Sequence, residues 1–416
     1  MSTDTPHDST ATQTPPLDGG VAVARLPAVD IVVIGAGIAG LWTANVLQRR
    51  GYSVLVFEKD VVGGVQTLAS QGMIHGGQKY TLTGSAGEHA SAIAAMPARW
   101  QACFDGCGDV DLTGVAFACD HQIMWPAGGI VSSAAVLAAA QLVNAGTRKL
   151  ARDEFPEVLA TRPKFKGPVY RLPEVVMDAK SLTVALAKPL AGRILRGAVA
   201  GVLPDGQVAF SHDGRDIAVQ AQLVVSTAGL GNEEVLKLLK VGKTLTQRRP
   251  LRQIMVRALD EPLFGHGIVG SPKPRLTVTA ARDGASGGYV WYLGGALAEN
   301  AASLDDGAAI ELAAKELADV FPHIDWSQKE FATWYGERAE PANPDGQLPA
   351  GPTVQQRGRV VIAWPTKLTF APLLADQVQA VVQRHAIKPY YPLPALDWPQ
   401  AQAGAPPWED CQWHRL

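Results

Sequence analysis

The 416-residue sequence is poor in cysteine, in charge and in uninterrupted apolar stretches, and each shortage removes a class of protein. Four cysteines, Cys103, Cys107, Cys119 and Cys411, are too few for a disulfide framework. The C-x3-C pair Cys103/Cys107, followed by Cys119 and His121, lacks a second tight pair to complete a four-ligand set. Reduced, unliganded thiols and no metal site are therefore expected, as in the cytoplasm. Charged residues make up 18% of the chain, and the formal charge is −2 without a basic run, so a nucleic-acid partner is not expected. The longest alanine-rich stretch, 131–143, is too short for a membrane span and is interrupted by Ser132, Ser133 and Gln141. Residues 1–28 are rich in Thr, Pro, Asp and Ser and lack the basic start and apolar centre of a signal peptide. They are expected to form a disordered tail. No internal repeat is present.

What the chain does have is the run Asp30-Ile-Val-Val-Ile-Gly35-Ala-Gly37-Ile38-Ala39-Gly40-Leu-Trp-Thr, continued by Val54-Leu-Val-Phe-Glu58-Lys59. It predicts a buried strand, a glycine turn, a helix, a second buried strand and a terminal acid, the arrangement that holds a dinucleotide. Gly35 permits the tight turn, Gly37 lets the backbone approach a pyrophosphate, and Gly40 lets helix and sheet pack closely. The helix start at Ile38 and Ala39 offers N–H groups and the positive end of the helix dipole to the anion. Glu58, with Lys59 beside it, stands where an acid accepts hydrogen bonds from the adenosine ribose.

Further along, residues 91–105 and 132–144 have helical patterns, and 115–125 is extended. Residues 169–178 precede a helix over 179–188. A hairpin is expected from 193–202 and 207–211 around Pro204-Asp-Gly206. The run 223–229 is a buried strand ending in a small-residue turn, and a helix follows from about Asn232. Residues 253–258, 275–280 and 288–294 are β-like, 310–320 is an amphipathic helix, 359–364 a strand and 371–384 a helix. In 288–294, alternation puts Tyr289 and Trp291 on one face and Tyr292 on the other, as core or as pocket wall.

Three segments together resemble the D-amino-acid-oxidase-like superfamily of FAD enzymes. They are the glycine-rich unit, the run Gln66-Thr67-Leu-Ala-Ser70-Gln71-Gly72-Met-Ile-His75-Gly-Gly77-Gln-Lys-Tyr80, and Trp334-Tyr-Gly-Glu-Arg338-Ala-Glu-Pro-Ala-Asn-Pro-Asp345-Gly346 with the strand 359–364 and Pro365 to Pro372 behind it. The second run is similar to one in glycerol-3-phosphate and L-2-hydroxyglutarate dehydrogenases, and 223–229 is similar to the family's V-V-x-A-A-G strand. Ala339 departs from the usual proline, and Ala363-Trp364-Pro365 from the usual glycine-rich approach to the last helix.

The resemblance implies an α/β fold: a Rossmann-like FAD-binding domain (29–100, 165–245, 338–385) interleaved with a mixed-sheet α+β substrate domain (101–164, 246–337). The aromatic- and proline-rich residues 386–416 are expected to dock as a tail. FAD is the implied cofactor. Thr67, Ser70, Gln71 and Gly72 would wrap the pyrophosphate and flavin edge, Val199 would meet the adenine, and Ala228 and Gly229 would pass the adenosine. Lys367, Leu368 and Thr369 would offer backbone N–H groups to the flavin pyrimidine oxygen, where hydride arrival places negative charge. Arg338 matches the arginine that clamps a substrate carboxylate in amino-acid-oxidising members; an ion-pair role is its alternative. His75 is read as a general base, a flavin contact or a covalent link.

The expected activity is FAD-dependent removal of hydride from a C–H next to an amine or hydroxyl of a small, carboxylate-bearing substrate. The electron acceptor (oxygen, a quinone or another carrier) and the oligomeric state are left open. A flavin monooxygenase and a non-catalytic FAD-binding scaffold are the alternatives, although the late Gly-Asp of the monooxygenases is missing from 363–369.

Overall fold

The computed structural model describes residues 24–74, 95–128, 132–134, 136, 146–242, 245–271, 273–343, 349, 351–393 and 395–416. The apolar, β-branched run Val29–Ile34 is buried at every position and forms the centre of a parallel sheet. Val54–Glu58 pairs on one side of it and residues 221–226 of the strand Arg215–Ser226 on the other. Ile194–Arg196 extends the sheet beyond Val54–Glu58, and Val360–Trp364 beyond 221–226, all in parallel. Thr353–Arg357 closes that end in antiparallel pairing. The helices Ile38–Arg49, Ala179–Ala187 and Ala371–Arg384 pack on one face, burying Trp42, Leu182 and Val378 with Trp100. This is the expected Rossmann-like architecture.

The hairpin around Pro204 to Gly206 forms from Ala198–Val202 and Gln207–His212, and continues into the first half of Arg215–Ser226. Residues 193–202 are not one strand. The chain breaks at Gly197, whose N–H donates to the Glu58 carbonyl, so Ile194–Arg196 joins the parallel sheet instead. Residues 115–125 likewise split into Phe117–Cys119 and Gln122–Pro126, which belong to different sheets.

The second sheet runs in the order His414–Arg415, Glu330–Pro341, Thr246–Leu259, Tyr289–Gly294, Leu276–Arg282, Gly265–Ile268, Gln122–Pro126, Tyr170–Leu172, Arg148–Lys149. Its two longest strands, Thr246–Leu259 and Glu330–Pro341, stay in register over their whole overlap. Two boundaries read from the sequence need correction here. Tyr170–Leu172 pairs in this sheet although the first domain was placed from 165, and Glu330–Pro341 runs beyond 338 without interruption. Ala339 lies within this unbroken run, opposite Arg248.

Alternation divides this sheet into two faces. Trp291 and Tyr289 join the core under the helix Asp306–Val320, with Leu317 and Phe321. Tyr292 and Met255 look the opposite way, toward the loop that follows the first βαβ unit.

The C-terminal residues cross between the two sheets. Asp30, fully buried, accepts from the N–H groups of Tyr390 and Tyr391 at 3.0 and 3.1 Å. Trp398 is buried and donates to the Arg196 carbonyl, and Gln402–Ala403 pairs with Val61–Val62. Trp408 meets Tyr292 edge-on at 5.4 Å, and His414–Arg415 pairs with Glu330 and Phe331. Tyr390 is the exception, at 79% exposure. Losing the Trp398 ring should destabilise by about 3–5 kcal/mol. Trp398→Ala should therefore show a lowered apparent Tm and rapid proteolysis after residue 388. Unchanged resistance to protease would mean that the segment is held without this anchor.

Candidate functional site

The glycine turn is built by close approach. Gly35 has φ +97°, and a Cβ there would lie 2.9 Å from both Ala228 Cα and the Thr227 carbonyl oxygen. Gly40 is tighter, because a Cβ would stand 1.9 Å from the Gly35 carbonyl oxygen. Gly37 precedes the helix, Ile38 donates its N–H to Thr67 Oγ1 at 3.0 Å, and Ala39 packs against Ala363 and Leu374. Thr227 Oγ1 donates to the carbonyls of Ile34 and Gly35 at 3.0 and 3.2 Å. The turn, the segment 66–67 and the segment 227–229 thus meet at one helix N-terminus, where anions bind.

Glu58 is fixed on this turn. Its Oε2 accepts from the Ala36 N–H at 2.8 Å and its Oε1 from the Asp60 N–H at 3.0 Å. Burial raises its pKa, and the two backbone donors, Asp60 and Ala36, act against that rise. Each oxygen keeps a further lone pair for a ligand hydroxyl. Glu58→Gln removes one backbone acceptance and the charge, for about 1.5–3 kcal/mol. Flavin titration of the apoprotein should show FAD bound at least roughly tenfold more weakly; unchanged affinity would place the ribose elsewhere. Lys59 is largely exposed, with Asp60 3.5 Å from it. Val199 and Ala228 both lie partly buried against the core on the other face of the first sheet.

The segment 67–72 lies between this turn and the inward face of the second sheet. The Ser70 Oγ is buried and has no hydrogen-bond partner among the described residues. The Tyr292 hydroxyl lies 2.8 Å from the Ala69 carbonyl oxygen and 2.5 Å from Gln253 Oε1. The Gln71 side-chain nitrogen donates to the carbonyls of Thr277 and Tyr292 at 3.1 and 2.9 Å, which ties that side chain to the second sheet. The Gly72 carbonyl accepts from the Met177 N–H at 2.9 Å, and a Cβ at Gly72 would meet the Met177 carbonyl oxygen. His75, with Lys79 and Tyr80, lies outside the described residues.

At the start of the last helix the Lys367 N–H is taken by the Pro365 carbonyl at 2.7 Å, which removes it from the expected set of donors. The preceding Thr366 has φ +62°, which shapes this tight turn. Leu368 and Thr369 open the turn that leads into Ala371–Arg384, where N–H groups lack an intrahelical acceptor. The Trp100 indole fixes it by donating to the Thr369 carbonyl at 3.0 Å.

Arg338 lies opposite Arg249 in the ladder, on the same face as Gln253 and Trp334. Its partner Arg249 is held by Glu340, which is fully buried, through Nε at 3.0 Å and Nη2 at 2.7 Å. Arg338 is less committed. Glu299 Oε1 stands 3.6 Å from its Nη2, and its buried Nε has no partner among the described residues. Burial, with Arg249 adding, lowers its pKa below the arginine value, so a further anion would be welcome there.

These features fit a dinucleotide: a backbone too close to carry side chains, an acid at the turn, and an orphaned Ser70 hydroxyl beside it. Asn232 escaped the sequence reading. Buried, it accepts from Ser226 Oγ and the Ala228 N–H and donates to the Ala363 carbonyl, tying two strand ends together. Its place as the first residue of a helix after a small-residue turn was the available signal. Glu299 and Gln253 had none, because only the packing of the short helix Ala296–Asn300 and the register of Thr246–Leu259 bring them to this face. Of the cysteines, Cys103 is buried in the first core, while Cys119, Asp120 and His121 have ligand atoms within 4.8 Å of one another.

Comparison with known proteins agrees with this geometry. Residues 30–379 match the DAO family model, described as FAD dependent oxidoreductase. A probable FAD-dependent oxidoreductase of Pseudomonas aeruginosa is 39% identical over 388 residues, covering 91% of this chain and 97% of that protein. The crystal structure of an FAD dependent oxidoreductase from Pseudomonas aeruginosa superposes with a TM-score of 0.78 at 34% identity, over 93% of this chain and 98% of the other. The L-alpha-glycerophosphate oxidase of Mycoplasma pneumoniae, solved with FAD bound, shares the fold at a TM-score of 0.61 and 14% identity, over 92% and 100%. Among the described residues no helix is long and apolar enough to cross a membrane.

Proposed function

The chain belongs to the DAO family of FAD-dependent oxidoreductases, and from that premise we propose that it removes hydride from a C–H next to an amine or hydroxyl of a small, carboxylate-bearing molecule. The observation that carries this reading is Arg338: a partly buried guanidinium whose Nε has no partner among the described residues, on the sheet face that covers the segment 67–72. A planar guanidinium in that state suits a two-point contact with a carboxylate.

When bound, FAD supplies the hydride acceptor. The protein's own residues do the rest. The glycine turn and the N-terminus of the helix Ile38–Arg49 would hold the diphosphate, and Glu58 the ribose. Leu368 and Thr369, which open the turn before the last helix, would offer their N–H groups to the electron-accepting edge of the bound cofactor. Tyr292 and Gln71 tie the second sheet to the segment 67–72 and so fix the height of the roof over the reacting carbon. Arg338 orients the substrate by its carboxylate. His75 enters from sequence alone as acceptor of the substrate proton, a task that an imidazole suits; an unaltered acidic limb of the kcat/KM profile in His75→Gln would remove it from that role.

The test is a steady-state screen of the FAD-loaded protein with amino acids, hydroxy acids and amines, each acid paired with its amide. Turnover of at least one acid and strong discrimination against its amide is the expected result. Equal turnover of acid and amide would remove the carboxylate from the reading.

A further inference from the structure

Glu299 lies on the short helix Ala296–Asn300, which follows the strand Tyr289–Gly294 through Gly295 at φ +80°. Its Oε1 faces two guanidiniums at once, Arg338 Nη2 at 3.6 Å and Arg249 Nη1 at 3.8 Å. Its Oε2 accepts from the Lys273 ammonium. The two ends of this carboxylate are therefore held unequally. The contact to Lys273 is a hydrogen bond, whereas 3.6 Å to Arg338 is an ion pair beyond hydrogen-bond length. Although burial acts the other way, Lys273 and then the two guanidiniums keep Glu299 below the usual glutamate pKa, so it is an anion at neutral pH.

We propose that Glu299 is a specificity-determining residue: an internal carboxylate that occupies the approach to Arg338 and must be displaced by the carboxylate of the incoming substrate. The proposal rests on the reading of Arg338 as the substrate clamp. Two carboxylates sharing one guanidinium repel each other, so Glu299 raises the threshold for any acid entering the site. Lys273 makes the displacement feasible, since Glu299 keeps that hydrogen bond as it gives up Arg338. An acid able to make the planar two-point contact with Arg338 displaces Glu299. A neutral ligand offers the guanidinium no charge and leaves Glu299 in place.

The experiment is a binding titration, independent of turnover, on the FAD-loaded protein with acetate and acetamide as probes, read by calorimetry and by perturbation of the flavin absorbance. Glu299→Gln should bind acetate on the order of tenfold more tightly, with acetamide unchanged. Lys273→Met should bind acetate more weakly, because Glu299 is then left with the guanidiniums alone. Glu299→Asp keeps the charge but withdraws it by one methylene; it should tighten acetate by a smaller factor, and it decides the question if the Gln variant does not fold. Acetate bound no more tightly by Glu299→Gln and Glu299→Asp than by the unaltered protein, with only a lowered Tm, would make Glu299 a structural ion-pair residue. Arg338→Met separates the two levels of the argument. If it loses acetate while the Glu299 variants gain nothing, only the role of Glu299 falls; if it binds acetate normally, the clamp itself is wrong.

Discussion

Gly40→Ala is expected to purify without flavin and with a markedly lowered thermal stability. The added methyl carbon would stand 1.9 Å from the Gly35 carbonyl oxygen and close to Thr227 Oγ1. Neither neighbour can yield: Gly35 sits at the end of a fully buried strand, and Thr227 donates to the carbonyls of Ile34 and Gly35. Overpacking of this kind costs on the order of 3 kcal/mol, or more where the obstacle is backbone. Relief requires the helix Ile38–Arg49 to lift from the sheet, which withdraws its N-terminus from the diphosphate. Gly37→Val separates the two effects. Its backbone has an ordinary φ of −78°, and a Cβ would lie 3.2 Å from Thr67 Oγ1, so the fold should persist while flavin occupancy falls. Full occupancy in a folded Gly37→Val protein would show that the phosphates do not lie over this turn.

Arg338→Met should raise the apparent KM for an acid substrate strongly while FAD content and fold stay nearly intact. Truncating one partner of a desolvated charge pair costs about 2–5 kcal/mol, or roughly 30-fold to a few thousand-fold in affinity. Since the described carboxylate partner of Arg338 is 3.6 Å away, its loss leaves Glu299 with Lys273 and Arg249 and strands no fully buried charge. Arg338→Lys should restore only part of the affinity, because an ammonium keeps the charge without the planar fork. The Met variant should also lose its preference for acids over amides. Unchanged kinetics in both variants would make Arg338 a structural ion-pair residue.

The parts of this molecule legible in its sequence are those whose physics is local. A fully buried strand, a turn that admits no side chain and an acid at the end of the next strand lie within residues 29–58, and Glu58 is found on the turn as expected. Alternation alone separated Trp291 from Tyr292, and the two side chains do enter different cores. What depends on pairing between distant strands was not legible. Glu330–Pro341 reads as a motif around Arg338, with weak alternation, and becomes a long strand only because Thr246–Leu259 supplies a partner at every step. Nothing local signals that the Gln71 amide reaches carbonyls on a strand more than two hundred residues away. Lys367 stands next to Leu368 and Thr369 in the sequence, but the proline two residues before it provides an acceptor that closes a tighter turn on its N–H. Glu299 carries no local signal at all.

The most direct measurement is anaerobic mixing of the FAD-loaded protein with matched pairs of small amino or hydroxy acids and their amides, with the oxidised flavin absorbance followed in time. The account predicts that at least one acid bleaches the flavin and that its amide does so far more slowly, with the difference lost in Arg338→Met. A flavin that stays oxidised with every acid, or bleaches equally with acid and amide, would contradict it.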